Sequence, residues 1–389
     1  MKRIILALLA AYVLYIAAGV AAIQFGVIEK FYFFPYFSIK HKQDRSGFST
    51  DGPIVVRRNG YRISKQIVPT AAGLRVQTDT LPAGKPASLT CHLGNSVSFQ
   101  VPLRQSPPSL QPDVYPAPEK MLVVSDIEGN FEGFRLLLTS AGVMNDQYNW
   151  QFGQGHLVLV GDFFDRGLNV TECLWLIYKL EQEAEQAGGK VHFILGNHEV
   201  MNLTGKLKYL RRKYRLNADS LGLPYEQWYT ADTELGQWLR TKNVVEKIGP
   251  TLFLHGGLSP EVAARHLSIT AINTVARQGL DRPLNTVPPK GSLEQILTYS
   301  QLSPDWYRGL VQETTSDSEV TAILQQYQAT RMVVGHTPVK EITPLYSNRV
   351  LAIDLPHQEN TAKGYMQGVW VEGDTFYSLD NQGQKVKLW

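Results

Sequence analysis

The stretch HLVLVGDFFDRG, residues 156–167, decides the fold of this chain. Its apolar run from His156 to Val160 is followed at once by Gly161 and Asp162. A short apolar run bounded by glycine is typical of a buried strand. A polar residue directly after such a strand lies at its carboxyl end, where α/β sheets bind ligands. The stretch therefore predicts one buried strand that delivers an aspartate to a site.

Four other apolar runs end in the same way. Strands are predicted at Met121–Ser125 before Asp126 and Glu128, at Val191–Leu195 before Asn197 and His198, at Thr251–Leu254 before His255, and at Arg331–Val334 before His336. Helical spacing of apolar residues lies between them, with one segment ending at Gly188-Gly189 and another opening at the capping box of Ser316 and Glu319. The sum is an α/β body with a largely buried sheet.

The donors at these strand ends are carboxylates, one amide and imidazoles. This mixture suits Mn, Fe or Zn better than a thiolate set would. Hydrolysis of a phosphate ester needs a hydroxide nucleophile and charge neutralisation on the phosphoryl oxygens, and two cations about 3.5–4 Å apart supply both. The pattern therefore predicts a two-metal centre.

The ordered motifs resemble those of calcineurin-like metallophosphoesterases. They are Asp126 to Asn130, Gly161 to Gly167, Gly196 to Glu199, His255 to Gly257 and Gly335 to Thr337. Asp165-Arg166-Gly167 and His255-Gly256-Gly257 are similar to the phosphoprotein-phosphatase branch, and Trp306-Tyr307-Arg308 is similar to its bacterial, Shewanella-like members. The resemblance covers about Met121 to Ser378 and leaves out the N-terminal part of the chain.

The resemblance implies a β-sandwich flanked by helices, with two divalent metal ions at one edge. Asp162 is expected to bridge them, Asp126 and Glu128 to complete the first metal site, and Asn197, His255 and His336 to complete the second. It also implies that His198 is the general acid, oriented by Asp165, and that Arg166 and Arg308 bind the phosphate, since a guanidinium matches a phosphate bidentately.

Glu128 departs from the family pattern, which has histidine at this position. A glutamate supplies an anionic oxygen and favours a harder metal, so Mn is expected, with Fe, Zn or Mg as alternatives. The same departure leaves open that the first metal binds weakly and that the chain is a catalytically silent, phosphate-binding relative.

The N-terminus predicts a membrane span. Residues 4–28 carry no charge, and 25 residues exceed the roughly 30 Å hydrocarbon core at about 1.5 Å each. A cleaved signal sequence, with Gly19-Val20-Ala21 as a possible cleavage site, and a buried core helix are the alternatives. The catalytic body is expected on the outer, periplasmic side, because large downstream domains translocate largely regardless of charge.

Four segments follow from these patterns: an anchor (residues 1–30), a juxtamembrane segment with a small β module (31–103), a Pro-rich linker (104–118) and a metallophosphoesterase domain (119–389). The β module shows strand-like runs, with Asn59-Gly60 as a hairpin turn.

The composition limits the possible partners. Lys and Arg number 38 against 35 Asp and Glu, a balance that gives no case for a nucleic-acid binder. The leading prediction is a membrane-anchored phosphatase acting on phosphomonoesters, with a phosphorylated protein or small molecule as substrate. Hydrolysis of a nucleotide or dinucleotide polyphosphate is the second hypothesis. A basic run from Lys206 to Lys213 is either a solvated helix face or a positive rim that attracts the substrate.

Overall fold

The structure is a computed structural model that describes residues 2–24, 30–33, 37–40, 44–94, 96–284 and 286–389. The chain divides into two compact units, Met1–Gly47 and Phe48–Trp389. The first unit holds helix α1 (Lys2–Gln24) and an antiparallel pair formed by β1 (Lys30–Phe33) and β2 (Phe37–Lys40). Residues 25–29, which contain the end of the predicted span, lie outside the described residues.

Helix α1 is long and apolar enough to cross a membrane, and a signal sequence would meet the same criterion. Its 23 residues span about 34 Å at about 1.5 Å each, which is enough for the roughly 30 Å hydrocarbon core. Most of its side chains are exposed, so the helix is not the buried core helix that was the third alternative.

The second unit opens with five strands in two antiparallel sheets. The first sheet holds β3 (Asp51–Arg58), β4 (Tyr61–Thr70) and β5 (Gly73–Pro82), and the second holds β6 (Ser88–Leu93) and β7 (Val97–Pro102). The predicted hairpin at Asn59-Gly60 is confirmed, since these residues join β3 to β4 with φ values of 48° and 79°. Positive φ at both turn residues matches the twist of the two strands.

Two six-stranded sheets form the body. The first has the order β11-β10-β9-β17-β18-β19, from strands Lys190–Phe193, His156–Leu159, Lys120–Val124, Gln367–Glu372, Thr375–Asp380 and Lys385–Lys387. The second has the order β15-β16-β14-β13-β12-β8, from strands Thr343–Leu345, Val350–Ala352, Arg331–Val334, Thr251–Leu254, Val245–Ile248 and Val114–Tyr115. Strands β9, β10 and β11 are parallel, as are β13, β14 and β16.

Ten helices surround the sheets in the described part of the second unit. They are α2 (Phe131–Ser140), α3 (Val170–Gln186), α4 (Asn197–Leu203), α5 (Arg212–Leu221), α6 (Glu234–Leu239), α7 (Pro260–Ala263), α8 (Ile269–Leu280), α9 (Leu293–Thr298), α10 (Asp317–Gln326) and α11 (His357–Thr361). The predicted capping box of α10 is confirmed, because the Ser316 hydroxyl accepts from the Glu319 N–H and the Glu319 carboxylate accepts from the Ser316 N–H.

The alternation of side chains along each strand gives the body two cores. Met121 and Val123 of β9 pack in one cluster with Phe253 of β13 and Val333 of β14, between the two sheets. Leu122 of β9 belongs to the larger cluster that includes the helices. Because successive strand residues point to opposite faces, both faces of β9 are buried. The predicted β-sandwich flanked by helices is confirmed.

Strands β3 to β7 pack against this body. The Trp175 indole of α3 donates to the Pro53 carbonyl at 2.7 Å. Arg57 donates to both carboxylate oxygens of Glu234 in α6, at 2.8 and 2.9 Å. Strand β8 lies inside the predicted linker and pairs with β12. The compact unit therefore runs from Phe48 across the predicted boundaries at 103/104 and 118/119.

Two truncations test this organisation. A chain that begins at Phe48 is expected to fold and to melt within a few degrees of the full chain, because it keeps the whole compact unit. A chain that begins at Glu119 is expected to aggregate, because it exposes Trp175 and removes Arg57 from the buried Glu234 carboxylate. Breaking a buried pair costs on the order of 3–5 kcal/mol. Circular dichroism measures the melting temperatures of both truncated chains. If the chain that begins at Glu119 melted at the same temperature as the full chain, a domain boundary would lie at 118/119.

Candidate metal centre

The structure brings the six predicted metal ligands to one edge of the sandwich. Each follows the carboxyl end of a strand, and all six are buried: Asp126 and Glu128 after β9, Asp162 after β10, Asn197 after β11, His255 after β13 and His336 after β14. The backbone links the loops directly, since the Asp126 N–H donates to the Gly161 carbonyl and the Glu128 N–H donates to the Asp162 carbonyl, both at 2.9 Å. The parallel register of the strands thus continues into the site.

Several of these residues have left-handed backbone conformations. The φ values are 55° at Asp126, 49° at Glu128, 57° at Asp162 and 63° at His336. Non-glycine residues rarely adopt positive φ, and each instance costs roughly 1–3 kcal/mol. Such strain persists at functional sites, where the surrounding structure holds the turn in place. Here the strained turns point the side chains of neighbouring loops at one another.

Two groups of donor atoms are close enough to hold metal ions. Asp162, His255 and His336 form one group, Glu128, Asp162 and His198 form the other, and the atoms within each lie within 4.8 Å of one another. Asp162 is common to both groups. The distance from its Oδ2 to His255 Nε2 is 3.0 Å. The two groups of donors therefore meet at this carboxylate.

Four of the predicted ligands carry buried donor atoms with no hydrogen-bond partner in the described part of the chain. They are Asn197 Oδ1, His255 Nε2, His336 Nε2 and Glu128 Oε1, of which the last forms an ion pair with Arg166. Buried polar atoms are nearly always paired, so unpaired ones call for a partner such as an ion. The residues therefore fit divalent cations, which accept lone pairs from amide oxygen and imidazole nitrogen.

The two histidines of this set are held in different ways. His255 Nδ1 lies 2.7 Å from the Val160 carbonyl, so it carries the proton and leaves Nε2 as the donor atom. Burial lowers the pKa of His255, but Asp162 and Asp126 outweigh it and raise the pKa well above its usual range, so Nε2 is protonated without a cation and a bound cation would replace that proton. Burial, together with His255, lowers the pKa of His336 to about 2, which keeps that ring neutral.

His198 and Asp165 form a hydrogen-bonded pair beside the metal ligands. His198 Nδ1 lies 2.7 Å from Asp165 Oδ2, and its Nε2 lies 3.8 Å from Asp162 Oδ2. Burial lowers the pKa of His198, but Asp162 and Asp165 outweigh it and raise the pKa to about 9. The ring therefore presents an N–H towards the ligand cluster at neutral pH.

The sequence analysis missed two residues that hold this pair. The Asn202 amide donates to Asp165 Oδ2 at 3.0 Å and to the His198 carbonyl at 2.9 Å, and the Tyr225 hydroxyl donates to Asn202 Oδ1 at 3.1 Å. Asn202 lies four residues after His198 on α4, so helical spacing was a signal for it. Tyr225 has no such signal, because only the tertiary fold brings it here.

The two predicted phosphate-binding arginines lie at the rim. Arg166 forms an ion pair with Glu128 and leaves about half of its side chain exposed. Arg308 Nη1 donates to the His336 carbonyl at 2.9 Å. Both guanidinium groups thus lie beside predicted metal ligands and keep further N–H donors available for an anion.

Glu128 has a mixed environment. It belongs to the second donor group, yet its carboxylate also pairs with Arg166. Burial raises its pKa to about 8, against the opposing effect of Arg166. A bound cation would favour the ionised form. The Glu128 carboxylate can therefore pair with either of two partners, the Arg166 guanidinium or a metal ion.

Two other buried residues lie near the loop that follows β9. Asp354 follows β16, and burial together with Asp126 raises its pKa to about 9. His357 begins α11, and neither ring nitrogen has a hydrogen-bond partner among the described residues. Burial lowers its pKa to about 4. The Gln358 amide of the same segment donates to the Glu128 carbonyl at 3.3 Å.

Glu199 belongs to neither of the two donor groups, but it joins two of the loops that carry them. Its fully buried carboxylate accepts four backbone N–H groups, from Asp162 at 2.8 Å, Phe163 at 2.7 Å, Phe164 at 3.3 Å and Gly196 at 2.7 Å. This carboxylate joins the loop after β10 to the loop after β11. It acts as a positioning residue for Asp162.

Glu199→Gln tests that role. Glutamine turns one acceptor into a donor that faces backbone N–H groups, so the free energy of unfolding should fall by on the order of 2–3 kcal/mol. Urea denaturation in EDTA measures this without a contribution from bound metal. Glu341→Gln, at an exposed position, is the control and should change nothing. Equal stability of the two variants would contradict the role of Glu199.

Comparisons with known proteins agree with this geometry. The calcineurin-like phosphoesterase family matches residues 119–340, which is more than half of the chain. A cold-active protein-tyrosine phosphatase of a psychrophilic Shewanella species has a solved structure with 31% identity and a TM-score of 0.79, covering 87% of this chain and 99% of that one.

Curated relatives are similar over shorter stretches. Shewanella-like protein phosphatase 1 of Plasmodium berghei is 29% identical over 254 residues, which is 60% of this chain and 66% of the relative. Shewanella-like protein phosphatase 2 of Arabidopsis thaliana is 38% identical over 96 residues, which is 25% of each chain. The predicted resemblance to Shewanella-like members is confirmed, and the chain belongs to the calcineurin-like metallophosphoesterase family.

Proposed function

We propose that this chain is a metal-dependent phosphatase that hydrolyses phosphomonoesters, including phosphoproteins, at a site for two divalent ions. The observation that carries the proposal is the convergence of buried donor atoms from His255 and His336 on the Asp162 carboxylate, with a further unpaired buried donor at Asn197 Oδ1. The family implies divalent metal ions, and the donor set suits them.

The residues divide into two metal sites. Asp126 and Glu128 are assigned to the first metal, Asn197, His255 and His336 to the second, and Asp162 to both. When bound, the metals supply positive charge that activates water and neutralises phosphoryl oxygens. Mn is the metal expected, because two carboxylates and a bridging third favour a hard or borderline cation; Fe, Zn and Mg are the alternatives.

The remaining site residues bind the phosphate and transfer a proton. His198 donates its Nε2 proton to the departing alkoxide, and Asp165 keeps that ring protonated and oriented through its 2.7 Å contact with Nδ1. Asn202 and Tyr225 fix Asp165 in turn. Arg166 and Arg308 hold the phosphoryl oxygens. The ion pair of Arg166 with Glu128 is exchanged for these contacts when metal and substrate bind.

The proposal extends to the location of the chain. Residues 1–30 act as a membrane anchor through α1, with the catalytic unit on the outer side. Support comes from the length and apolar composition of the helix. Protease protection in spheroplasts tests the orientation, and release of a shortened chain from the membrane fraction would instead identify a cleaved signal sequence.

Replacement of the proton donor tests the catalytic proposal. The wild-type chain should hydrolyse a chromogenic phosphomonoester with added Mn, and His198→Asn should lower kcat by about 10²- to 10⁴-fold, the range for a general acid. Metal analysis of the variant should still find two ions per chain. Loss of one ion would mean that His198 is a ligand, as its place in a donor group allows.

A substrate panel decides between the phosphatase and its alternatives. Phosphopeptides, chromogenic phosphomonoesters and dinucleotide polyphosphates are compared by kcat/KM at equal metal concentration. Preference for dinucleotide polyphosphates would support the second hypothesis. A chain that binds metal and phosphate but turns over none of these substrates would be the silent relative.

Glu128 is proposed as a ligand of the first metal. Glu128→Gln keeps the shape and removes the charge, so it should lower the occupancy of one metal of two and reduce activity by at least about tenfold. Glu128→His supplies an imidazole and should shift the metal preference away from Mg. Mass spectrometry of bound metals measures occupancy, with Glu119→Gln at an exposed position as the control.

Unchanged metal content and rate in Glu128→Gln would show that Glu128 is not a ligand. A wild type with one metal and no turnover, beside a Glu128→His variant that gains both, would identify a silenced phosphatase.

A further inference from the structure

A cavity of about 260 Å³ opens beside the proton donor. Tyr209, in its wall, places its ring 5.0 Å from the His198 ring. Trp306, which also lines the cavity, places its ring 5.5 Å from the His336 ring. The cavity therefore adjoins both the residue that protonates the leaving group and a ligand of the second metal. A group attached to the departing oxygen would enter this space.

Most of the cavity wall is apolar or aromatic. Val200 and Met201 from α4 are buried, and Tyr299 after α9 adds a second tyrosine ring. Ligand sites are typically lined in this way, with a few polar groups that provide specificity. The apolar atoms of a substrate side chain would be removed from water against these walls, and this burial would favour binding.

Two lysines provide the charge at this cavity. The Lys206 ammonium lies 4.1 Å from the centre of the Tyr299 ring, and the Lys208 ammonium lies 5.0 Å from the centre of the Tyr209 ring. Aromatic faces attract cations and so hold both ammonium groups at the wall. Neither lysine forms an ion pair with any of the described carboxylates, and the carboxylate that acts on Lys206 most, Asp305, is buried. The described lining of the cavity therefore includes no Asp or Glu that could neutralise the two lysines.

A second cavity of about 310 Å³ adjoins the first, since both are lined by Gln301 and Trp306. Arg308 also lines this second cavity. Together the two cavities give a substrate chain more room than a single phosphorylated side chain would fill. This arrangement fits an extended peptide better than a compact small molecule.

We propose that the first cavity binds the leaving-group side of the substrate and that Lys206 and Lys208 select a phosphopeptide with an acidic residue next to the phosphorylated residue. The inference rests on the proposed phosphatase function and adds the class of substrate. A carboxylate beside the phosphoester would pair with the lysines in a partly desolvated space, where charge-assisted hydrogen bonds are strong.

The test compares phosphopeptides that differ only in the flanking residues, which are glutamate, glutamine or lysine. For the full-length chain with Mn, kcat/KM for the glutamate peptide should exceed that for the glutamine peptide by roughly five- to thirtyfold, through KM. The double variant Lys206→Met with Lys208→Met should reduce the ratio to about one, and higher salt should shrink it in the wild type. Lys206→Glu with Lys208→Glu should invert the preference towards the lysine peptide. Lys85→Met, at an exposed position between β5 and β6, should leave the preference intact.

Binding of fluorescent phosphopeptides to the His198→Asn variant separates this inference from the proposed function. Tighter binding of the glutamate peptide supports the inference even where turnover fails, and failed turnover then overturns only the proposed function. Equal dissociation constants for the glutamate and glutamine peptides overturn the inference while leaving phosphatase activity standing. Preferred hydrolysis of a dinucleotide polyphosphate over every peptide overturns it too.

Discussion

The Asp162 carboxylate is the contact on which the site depends. Its Oδ1 accepts a hydrogen bond from the backbone N–H of His198 at 2.9 Å, and its Oδ2 lies 3.0 Å from His255 Nε2. Its own N–H donates to Glu199, and its carbonyl accepts the Glu128 N–H. One strained residue thus joins the loops that follow β9, β10, β11 and β13. A change in its position would displace donors on all four loops.

Burial of several carboxylates at one edge has an electrostatic cost. Burial raises the pKa of Asp126 to about 6 and that of Asp354 to about 9, since like charges nearby add to the loss of water. Such shifts cluster at functional sites. Divalent cations would offset the cost by pairing with the carboxylates, so metal binding and the stability of this edge should be coupled.

A second cluster of buried charged residues involves the N-terminal strands. Lys213 of α5 lies 3.6 Å from Asp51 of β3 and 3.8 Å from Glu172 of α3, all of them buried. α3 follows the loop that carries Asp165 and Arg166. Strand β3 therefore completes a buried charged cluster with α3 and α5, and it belongs to the compact unit that begins at Phe48.

The sequence by itself determined five strands of the body and the polar residue types that follow them, because apolar runs that end in glycine and a polar residue are local patterns. It predicted β13 and β14 with their observed bounds and placed β9, β10 and β11 within two residues. It also grouped residues whose donor atoms do converge, since strand ends meet at one sheet edge. The tertiary structure alone decided which groups support them. Tyr225 reaches Asn202 across 23 residues and Arg166 reaches Glu128 across 38, and the two cavities beside Trp306 form between segments that are distant in the sequence. Such contacts depend on how helices and loops pack, and side-chain periodicity does not encode that packing.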